Sequence, residues 1–385
     1  MRLYQPSMAT TRVTEHSLRP QGGAVSAGTV SVSQGEPDFD TPEIIVNAMH
    51  EAIDRGWTHY GDSNGDPELR DLIAEQASKV AGRAIGADSV AITHGGAGAI
   101  SASVLATVNP GETVVIPEPT YSLYPDAVRL AGGKPVFVPC LKNNQLDIPA
   151  LLEAARGSRL IAFCNPGNPT GAVFPRETLL KLAEGLRGSS TLVLVDEAYA
   201  HLTYGAQFES ALAIEELWER LIYVQTLSKT YAMTGWRLGY AIAHPQLVKS
   251  IRTVHRTFNS APNAAVQRAA IAALKCGPEV TRHMLDSYQE RRDLVVSRLA
   301  AIPGISFTEP EGAFYVFFSY PGNRGADEML QEFENNGVKL RAGTEFGPSG
   351  EGHMRLSFAT DPDTLNRALD CIELTVRKAM EVQRA

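Results

Sequence analysis

Short apolar segments rich in β-branched residues alternate with longer helical patterns through the middle of the chain. The apolar segments lie at 89–93, 113–116, 135–138, 160–163, 191–195, 221–224 and 238–243. Helical patterns cover 67–81, 97–108, 121–131, 176–187 and 262–275, and several begin with Pro, Asp, Ser or Thr. Buried strands separated by helices are typical of a parallel sheet, because a parallel connection needs a long crossover. The sequence therefore predicts an α/β domain whose mostly parallel sheet is sandwiched by helices.

The pattern changes near residue 280. One long amphipathic stretch covers 280–302, strand-like segments follow at 314–318 and 354–359, and a C-terminal helix begins near 362. Because strands and helices no longer alternate strictly, this part predicts a smaller α+β domain, with the long helix as the bridge. We expect an N-terminal arm over 1–40 that joins the small domain, a large domain over 41–279 and the small domain over 280–385. The first ~25 residues are expected to be poorly ordered.

Composition and charge narrow the class of protein. The 385 residues have a formal net charge of -8 and no basic cluster, which disfavours nucleic acid as a partner. No apolar run approaches the roughly 18 residues of a membrane span. The N-terminal residues lack the apolar segment of a secretory signal, so a cytoplasmic location is expected. Since Cys140, Cys164, Cys276 and Cys371 form no CxxC pair, neither a disulfide framework nor a metal site is expected.

The most informative segment is TLSKTYAMTGWRLGYAIA, residues 226–243, where a strand runs into a hydroxyl-rich loop. Its apolar surroundings lower the pKa of the Lys229 amine, and the free amine can attack an aldehyde to form a Schiff base. Thr226, Ser228 and Arg237 would then surround a dianionic phosphate, because the planar guanidinium of Arg237 suits phosphate oxygens. The segment therefore predicts a cofactor that carries an aldehyde and a phosphate.

Two other strand ends carry polar groups that fit such a cofactor. The strand at 191–195 ends directly on Asp196, at the carboxyl edge of the predicted sheet. Asp196 could hold a protonated pyridine nitrogen and so keep the ring an electron sink, with the Tyr199 hydroxyl beside the ring's phenolic oxygen. Asn168, in the Pro/Gly-stiffened turn NPGNPTG, could donate to the same oxygen or to substrate.

A glycine-rich loop, THGGAGAI at 93–100, leads from a strand into a helix. Its backbone N–H groups and the helix dipole suit an anion, which predicts a phosphate cup. The loop also partly imitates the GxGxxG pattern of dinucleotide-binding folds, with Ser101 in the third place. A nicotinamide oxidoreductase could use Glu118 as its acidic residue, but that alternative leaves Lys229, Asp196 and Arg355 unexplained.

Together these segments resemble the fold-type-I, class I and II aminotransferases, and the resemblance runs from about Gly35 to Arg355. It implies pyridoxal 5′-phosphate as cofactor and transfer of an amino group between an L-amino acid and a 2-oxo acid. The aspartate and aromatic subgroup is the most similar, which implies a homodimer with shared active sites. On this resemblance Lys229 is the Schiff-base lysine and proton shuttle, and Asp196 is the partner of the pyridine nitrogen.

The resemblance also assigns the remaining site residues by their motifs. For the cofactor it implies ring stacking by Tyr121 of PEPTYSLYP, contacts to the ring oxygen from Tyr199 and Asn168, and phosphate contacts from Gly96, Ala97, Thr226, Arg237 and, across the dimer, Tyr60 of THYGDSNGDPELR. For the substrate carboxylate it implies a two-pronged grip by Arg355 of HMRLSFA and a backbone contact at Gly35 of QGEPDF.

The chain departs from the family pattern at three places. Ala97 stands where the cup usually carries Ser, Thr or Lys, and Arg341 of LRAG stands where an apolar residue usually lines the pocket. Asp62, in the segment DSN after Tyr60, replaces a residue that is often Pro or Ala. Two interpretations stay open: Asp62 binds a polar or cationic substrate side chain, or Arg341 binds an acidic one.

Two other classes of function share these residues. A lyase or an oxidase acting on an amino acid would use the same scaffold and cofactor and differ only in the fate of the carbanion. A non-catalytic binding protein on this fold is disfavoured, because Lys229, Asp196 and Arg355 are all present.

Overall fold

The computed structural model describes residues 4–19 and 28–384, with side chains up to residue 381. Residues 1–3 and 20–27, which belong to the predicted N-terminal arm, and residue 385 lie outside the described residues. The helices are α1 (Met8–His16), α2 (Glu43–Asp54), α3 (Pro67–Ala81), α4 (Gly95–Thr107), α5 (Leu123–Leu130), α6 (Ile148–Ala154), α7 (Arg176–Gly185), α8 (Leu227–Thr230), α9 (Pro245–Asn259), α10 (Ala264–Lys275), α11 (Glu279–Ala300), α12 (Ala326–Asn335) and α13 (Pro362–Arg384).

Strands alternate with these helices up to residue 243. They are β1 (Val30–Ser31), β2 (Val90–Thr93), β3 (Thr113–Glu118), β4 (Lys134–Pro139), β5 (Leu160–Cys164), β6 (Leu192–Asp196), β7 (Leu221–Thr226), β8 (Gly239–Ala243), β9 (Ser306–Phe307), β10 (Tyr315–Ser319), β11 (Val338–Lys339), β12 (Arg341–Ala342) and β13 (His353–Ser357). The predicted strands and helices are confirmed to within a few residues at each end.

Within the described residues, the main sheet has the order β2-β8-β7-β6-β5-β3-β4. Every neighbouring pair from β7 to β4 is parallel, and only β8 runs against its neighbours. The predicted mostly parallel α/β sheet is therefore confirmed. Because parallel strands end at one edge, the residues that follow β2, β3, β5, β6 and β7 meet there.

Both faces of the main sheet are buried, which explains why its strands are continuous apolar runs rather than alternating ones. Successive residues of β6 belong to different cores, with Leu194 in one and Val195 in the other. Helices α3, α6, α7 and α10 pack on the face of Val195, and α4, α5 and α9 pack on the face of Leu194. Two layers of helices thus hold the sheet edge rigidly in place.

Helix ends are set by local chemistry that the sequence already contains. The Asp66 carboxylate accepts hydrogen bonds from the N–H groups of Glu68 and Leu69, and Pro67 occupies the first turn of α3. Asn263 caps α10 by accepting from the Val266 N–H at 3.1 Å, so that helix begins at residue 264 instead of the predicted 262. Helix α5 begins at residue 123 instead of 121, which leaves Tyr121 on the turn after β3.

A second, antiparallel sheet with the order β12-β13-β10-β9 lies beyond the long helix α11. The N-terminal segment contacts both parts of the chain, since β1 pairs with β11 while α1 packs on α5. Within the described residues, no helix is long and apolar enough to cross a membrane.

Candidate active site

The carboxyl edge of the main sheet and the second sheet enclose a cavity of about 520 Å³. Most of the predicted site residues line it: Gly35, Gly96, Ala97, Tyr121, Asn168, Asp196, Tyr199, Thr226, Ser228, Lys229, Arg237, Arg341 and Arg355. The main sheet and its loops supply Asp196 and Lys229, whereas β13 supplies Arg355. Residues that are more than 300 positions apart in the sequence therefore face one space.

Lys229 lies in the single-turn helix α8, directly after β7. Its amine donates a hydrogen bond of 2.6 Å to the carbonyl oxygen of Gly35. The pKa of Lys229 is lowered to about 8. Burial is the main cause and the charge of the nearby Arg355 adds to it, whereas the Glu36 carboxylate opposes the shift. With this pKa roughly one amine in ten is the free base at pH 7, far more than for an ordinary lysine, and the free base is the nucleophile or proton acceptor.

Asp196 is the last residue of β6 and is 5% exposed. One of its carboxylate oxygens accepts from the Tyr124 hydroxyl at 2.9 Å, and the other accepts from the Ala198 N–H at 3.1 Å. Desolvation raises its pKa to about 6, although both hydrogen bonds and the Lys229 charge oppose this rise. Among the described residues it forms no ion pair, so a cationic group entering the cavity would meet an unmatched carboxylate.

Two tyrosine hydroxyls meet in the lining of the cavity. The hydroxyl oxygens of Tyr199 and Tyr315 are 2.8 Å apart, and both side chains are buried. Gly35 passes so close that a Cβ there would lie 1.8 Å from the Tyr315 hydroxyl oxygen. A glycine is therefore required at residue 35, and its carbonyl oxygen is free to receive Lys229.

Arg355 is buried, with its guanidinium over the ring of Tyr315 at 4.3 Å. It donates to Asn168 Oδ1 at 2.9 Å and to the Ser33 carbonyl oxygen at 2.5 Å, while its Nε has no hydrogen-bond partner among the described residues. Because arginine only donates, the Asn168 oxygen must face it, and the Asn168 amide nitrogen is left to donate elsewhere. The site thus retains donors for an anionic ligand.

The turn where β2 passes into α4 also lines the cavity, through Gly96 and Ala97. The first N–H groups of a helix have no acceptor inside the helix, so those at the start of α4 are available to an anion. Thr226 and Ser228 share a hydrogen bond of 2.9 Å beside this turn. A Cβ on Gly95, which has a φ of 72°, would lie 2.7 Å from Arg237 Nη2, so the guanidinium packs directly on the turn.

Arg341 also lines the cavity, but its charge is already matched. Its Nε lies 2.7 Å from Glu345 Oε2. Arg341 and Arg355 are register partners on the neighbouring strands β12 and β13. Within the described residues only Arg341 of this pair has a carboxylate partner.

Tyr60 and Asp62 lie outside this cavity. Tyr60 is 92% exposed and lines a separate cleft with Trp57 and Ala261. The Asp62 carboxylate accepts from the Asn64 backbone N–H at 2.8 Å and lies 3.7 Å from Arg70. Neither side chain lines the cavity of its own chain.

Several residues in and around the cavity were not predicted from the sequence, and three of them hydrogen-bond to predicted site residues. Tyr124 binds Asp196, Tyr315 binds Tyr199, and Arg19 donates to the Tyr121 hydroxyl at 2.9 Å. Tyr124 and Tyr315 are buried in α5 and β10, and a buried hydroxyl needs a partner. The sequence therefore indicates that these buried hydroxyls need hydrogen-bond partners, but it does not identify the partners.

Comparison with known proteins identifies the family. The profile of the family described as aminotransferase class I and II matches residues 27–372. An aspartate aminotransferase from Pyrococcus horikoshii is 37% identical over 365 residues, which cover 92% of this chain and 91% of that relative. The structure of an aromatic aminotransferase from Pyrococcus horikoshii gives a TM-score of 0.90 at 32% identity, over 97% of this chain and 99% of that one. Thermus thermophilus aspartate aminotransferase with maleate gives 0.85 at 30% identity, over 96% and 97%.

The chain therefore belongs to the class I and II aminotransferases, as its motifs predicted, and has their fold-type-I architecture. It is an aminotransferase, an enzyme that moves an amino group between an amino acid and a 2-oxo acid. The nicotinamide alternative is wrong. Glu118, its proposed acidic residue, is buried and accepts a hydrogen bond from the Ser349 N–H.

Proposed function

We propose that this aminotransferase binds pyridoxal 5′-phosphate in the described cavity and uses Lys229 as its catalytic amine. One observation carries the proposal: Asp196, Lys229 and Arg355 face the same enclosed space, and none of them has an ion-pair partner among the described residues. Buried charges are costly unless they are matched. A ligand with a cationic ring nitrogen, an aldehyde and carboxylate or phosphate oxygens would match all three.

The residues present fit this cofactor at each of its polar groups. The N–H groups at Gly96 and Ala97, with Thr226, Ser228 and Arg237, would hold the phosphate, and Asp196 would pair with the ring nitrogen. Tyr121 would stack on the ring, and Tyr199 and Asn168 would contact its phenolic oxygen. When bound, pyridoxal phosphate supplies an aldehyde that condenses with amines and a ring that accepts electrons from the substrate α-carbon.

The protein's own residues would then orient the substrate and move its proton. Arg355 would bind the substrate carboxylate through the guanidinium N–H groups that Asn168 and Ser33 do not receive, in the planar contact that guanidinium favours. With Gly35, this contact fixes the α-carbon near Lys229. The Lys229 amine, whose pKa is lowered to about 8, can accept the α-proton and return it.

We also propose an acidic amino acid, aspartate or glutamate, as a donor, with 2-oxoglutarate as a natural acceptor. The cavity lining within the described residues contains five cationic side chains, Arg19, Lys229, Arg237, Arg341 and Arg355, against one carboxylate, Asp196. This excess favours a ligand with several negative charges. The relative from Pyrococcus horikoshii is an aspartate aminotransferase. Arg341 would contact the distal carboxylate.

We further propose a homodimer. Large apolar side chains are exposed on α2, on the loop after it and at the end of α9, including Ile44, Ile53, Tyr60 and Phe258. Exposed apolar side chains of this size are typical of a surface that a partner covers. In the dimer Tyr60 would reach the partner's phosphate and Asp62 would lie near the partner's substrate. Light scattering that finds a stable and active monomer would contradict this arrangement.

We propose the predicted division at residue 280 as well, with the large domain over 41–279 and the small domain over 280–385. The separate antiparallel sheet after α11 supports it. On this division the substrate lies between domains, because Arg355 comes from one and Lys229 from the other.

The test is the visible absorption spectrum of purified protein reconstituted with pyridoxal phosphate and titrated anaerobically with acidic, basic, aromatic and neutral amino acids. We expect glutamate and aspartate to convert the bound cofactor to its amine form while the matching 2-oxo acid is released in equal amount. Release of ammonia without the amine form would instead indicate a lyase or an oxidase. Absence of any cofactor-dependent absorbance would refute the cofactor assignment.

A further inference from the structure

The turn between β2 and α4 is packed tightly on its sheet side. A Cβ on Gly239 would lie 2.6 Å from the carbonyl carbon of Gly95 and 2.7 Å from the nitrogen of Gly96. Thr93 closes the turn from within, because its hydroxyl donates to the Gly95 carbonyl oxygen at 3.0 Å. The backbone of this turn therefore has little room to shift toward β8.

A histidine from the distant helix α9 also binds this turn. His255, on α9, accepts a hydrogen bond at its Nε2 from the backbone N–H of His94 at 3.1 Å. Nδ1 of the His94 ring lies 3.1 Å from the same atom, and the two rings stack with centroids 5.2 Å apart. His255 is 2% exposed, so water does not replace it as the acceptor.

The ring of His255 stays a hydrogen-bond acceptor at neutral pH. Burial, together with the nearby His94, lowers the pKa of His255 to about 4. Because the Nε2 atom receives the His94 N–H, the neutral ring carries its proton on Nδ1. Desolvation and the Arg237 charge lower the pKa of His94 too, which favours the neutral form of the second ring as well.

We propose that His255 is a positioning residue for the phosphate-binding turn: its bond to the His94 N–H aims the free N–H groups at the start of α4 toward the phosphate. This inference rests on the proposed cofactor. The His94 peptide immediately precedes Gly95, the first residue of α4. Without the His255 acceptor, the enclosed N–H of His94 would have no hydrogen-bond partner, and the turn would rotate until this N–H met another acceptor. That rotation would turn the neighbouring N–H groups away from the anion.

The test compares two ligands that share the ring and the aldehyde and differ only in the phosphate. Dissociation constants of pyridoxal phosphate and of pyridoxal are measured for the full-length apoprotein and its variants by absorbance titration. His255→Leu removes the acceptor at similar volume, and His255→Gln is the matched control that can still accept the bond. Thermal unfolding of each apoprotein reports on general stability.

We expect His255→Leu to bind pyridoxal phosphate about tenfold more weakly, the effect of one lost buried hydrogen bond, and to bind pyridoxal nearly as well as the wild type. His255→Gln should keep most of the preference for the phosphate. An equal loss for both ligands, or no loss for either, would show that His255 only supports the fold. Should His255→Leu fail to fold, His255→Asn, which is polar but too short to reach the His94 nitrogen, takes its place with the same expected loss.

The wild-type protein separates this inference from the cofactor proposal. If the wild type binds neither ligand, the cofactor assignment fails, and the role of His255 fails with it. If the wild type prefers pyridoxal phosphate and His255→Leu keeps the same preference, only the positioning role is refuted.

Discussion

The inner wall and the rim of the cavity differ in how their charges are matched. The inner wall is formed by Asp196, Lys229 and Arg355, and the rim by Arg19 and Arg341. Arg341 lies 2.7 Å from the Glu345 carboxylate, and Arg19 is exposed to solvent. The inner-wall charges have no opposite charge at ion-pair distance among the described residues. Since an unmatched charge in an enclosed site is costly, such charges indicate where ligand charges bind. On the proposed function, Arg19 and Arg341 at the rim would adjust specificity, and the inner-wall residues would carry the chemistry.

The largest effect is expected at the inner-wall lysine. Lys229→Ala removes the amine proposed to accept and return the substrate proton, so the rate of transamination should fall by about 10²–10⁴-fold. Single-turnover measurements of 2-oxo acid release provide the test. Lys79→Ala, which only removes an exposed pair with Glu75, is the control and should keep full activity. An active Lys229→Ala enzyme would overturn the distinction between wall and rim.

The two register-paired arginines allow the sharpest comparison. Arg355→Ala should lower kcat/KM for every amino acid by roughly 10²–10³-fold, because an enclosed charge pair with the substrate carboxylate is lost. Arg341→Ala should lower kcat/KM about tenfold, and only for acidic donors, since the Arg341 charge is already paired with Glu345. Steady-state kinetics with aspartate, glutamate and alanine distinguish the two. Equal losses at both arginines would remove the basis of the comparison.

Tyr124→Phe tests how the wall keeps Asp196 ionised. The hydroxyl lowers the pKa of a carboxyl that burial raises to about 6, so its removal raises that pKa further. The carboxylate is ionised above its pKa, so the affinity for pyridoxal phosphate should fall about tenfold near neutral pH and recover as the pH rises. Titrations across pH provide the measurement. Tyr288→Phe is the control, because the buried Tyr288 hydroxyl has no hydrogen-bond partner within the described residues.

The smallest expected effect concerns Glu36, whose charge raises the pKa of Lys229 against the effect of burial. In the wild-type apoprotein, capture of pyridoxal should accelerate as pH rises through about 8, because the free amine is the nucleophile. Glu36→Gln removes a negative charge that favours the ammonium form, so the same rise should occur at lower pH. Stopped-flow absorbance gives the rate. Glu153→Gln, in an exposed pair, should leave the profile unchanged; a shift to higher pH in Glu36→Gln would contradict the assignment.

The segments that carry the site could be predicted because each is local. Lys229 follows a strand directly, Asp196 ends one, and the glycine-rich turn opens a helix, so the parallel sheet alone brings them to one edge. The contacts of Tyr124, Tyr315 and His255 could not be predicted in this way. Each is made to a residue at least 72 positions away, and the sequence indicates only that a buried polar group needs some partner.

By itself, the sequence determined the fold class and the family, and it predicted which residues carry the chemistry. Periodicity, turn residues and the TLSKTYAMTGWR, NPTG and DEAY segments are local properties of the chain. Only the tertiary structure decided which charges are matched, because ion pairing depends on distances that folding sets. It joined Arg341 to Glu345, left Arg355 without a carboxylate partner among the described residues, and placed His255 against the turn between β2 and α4.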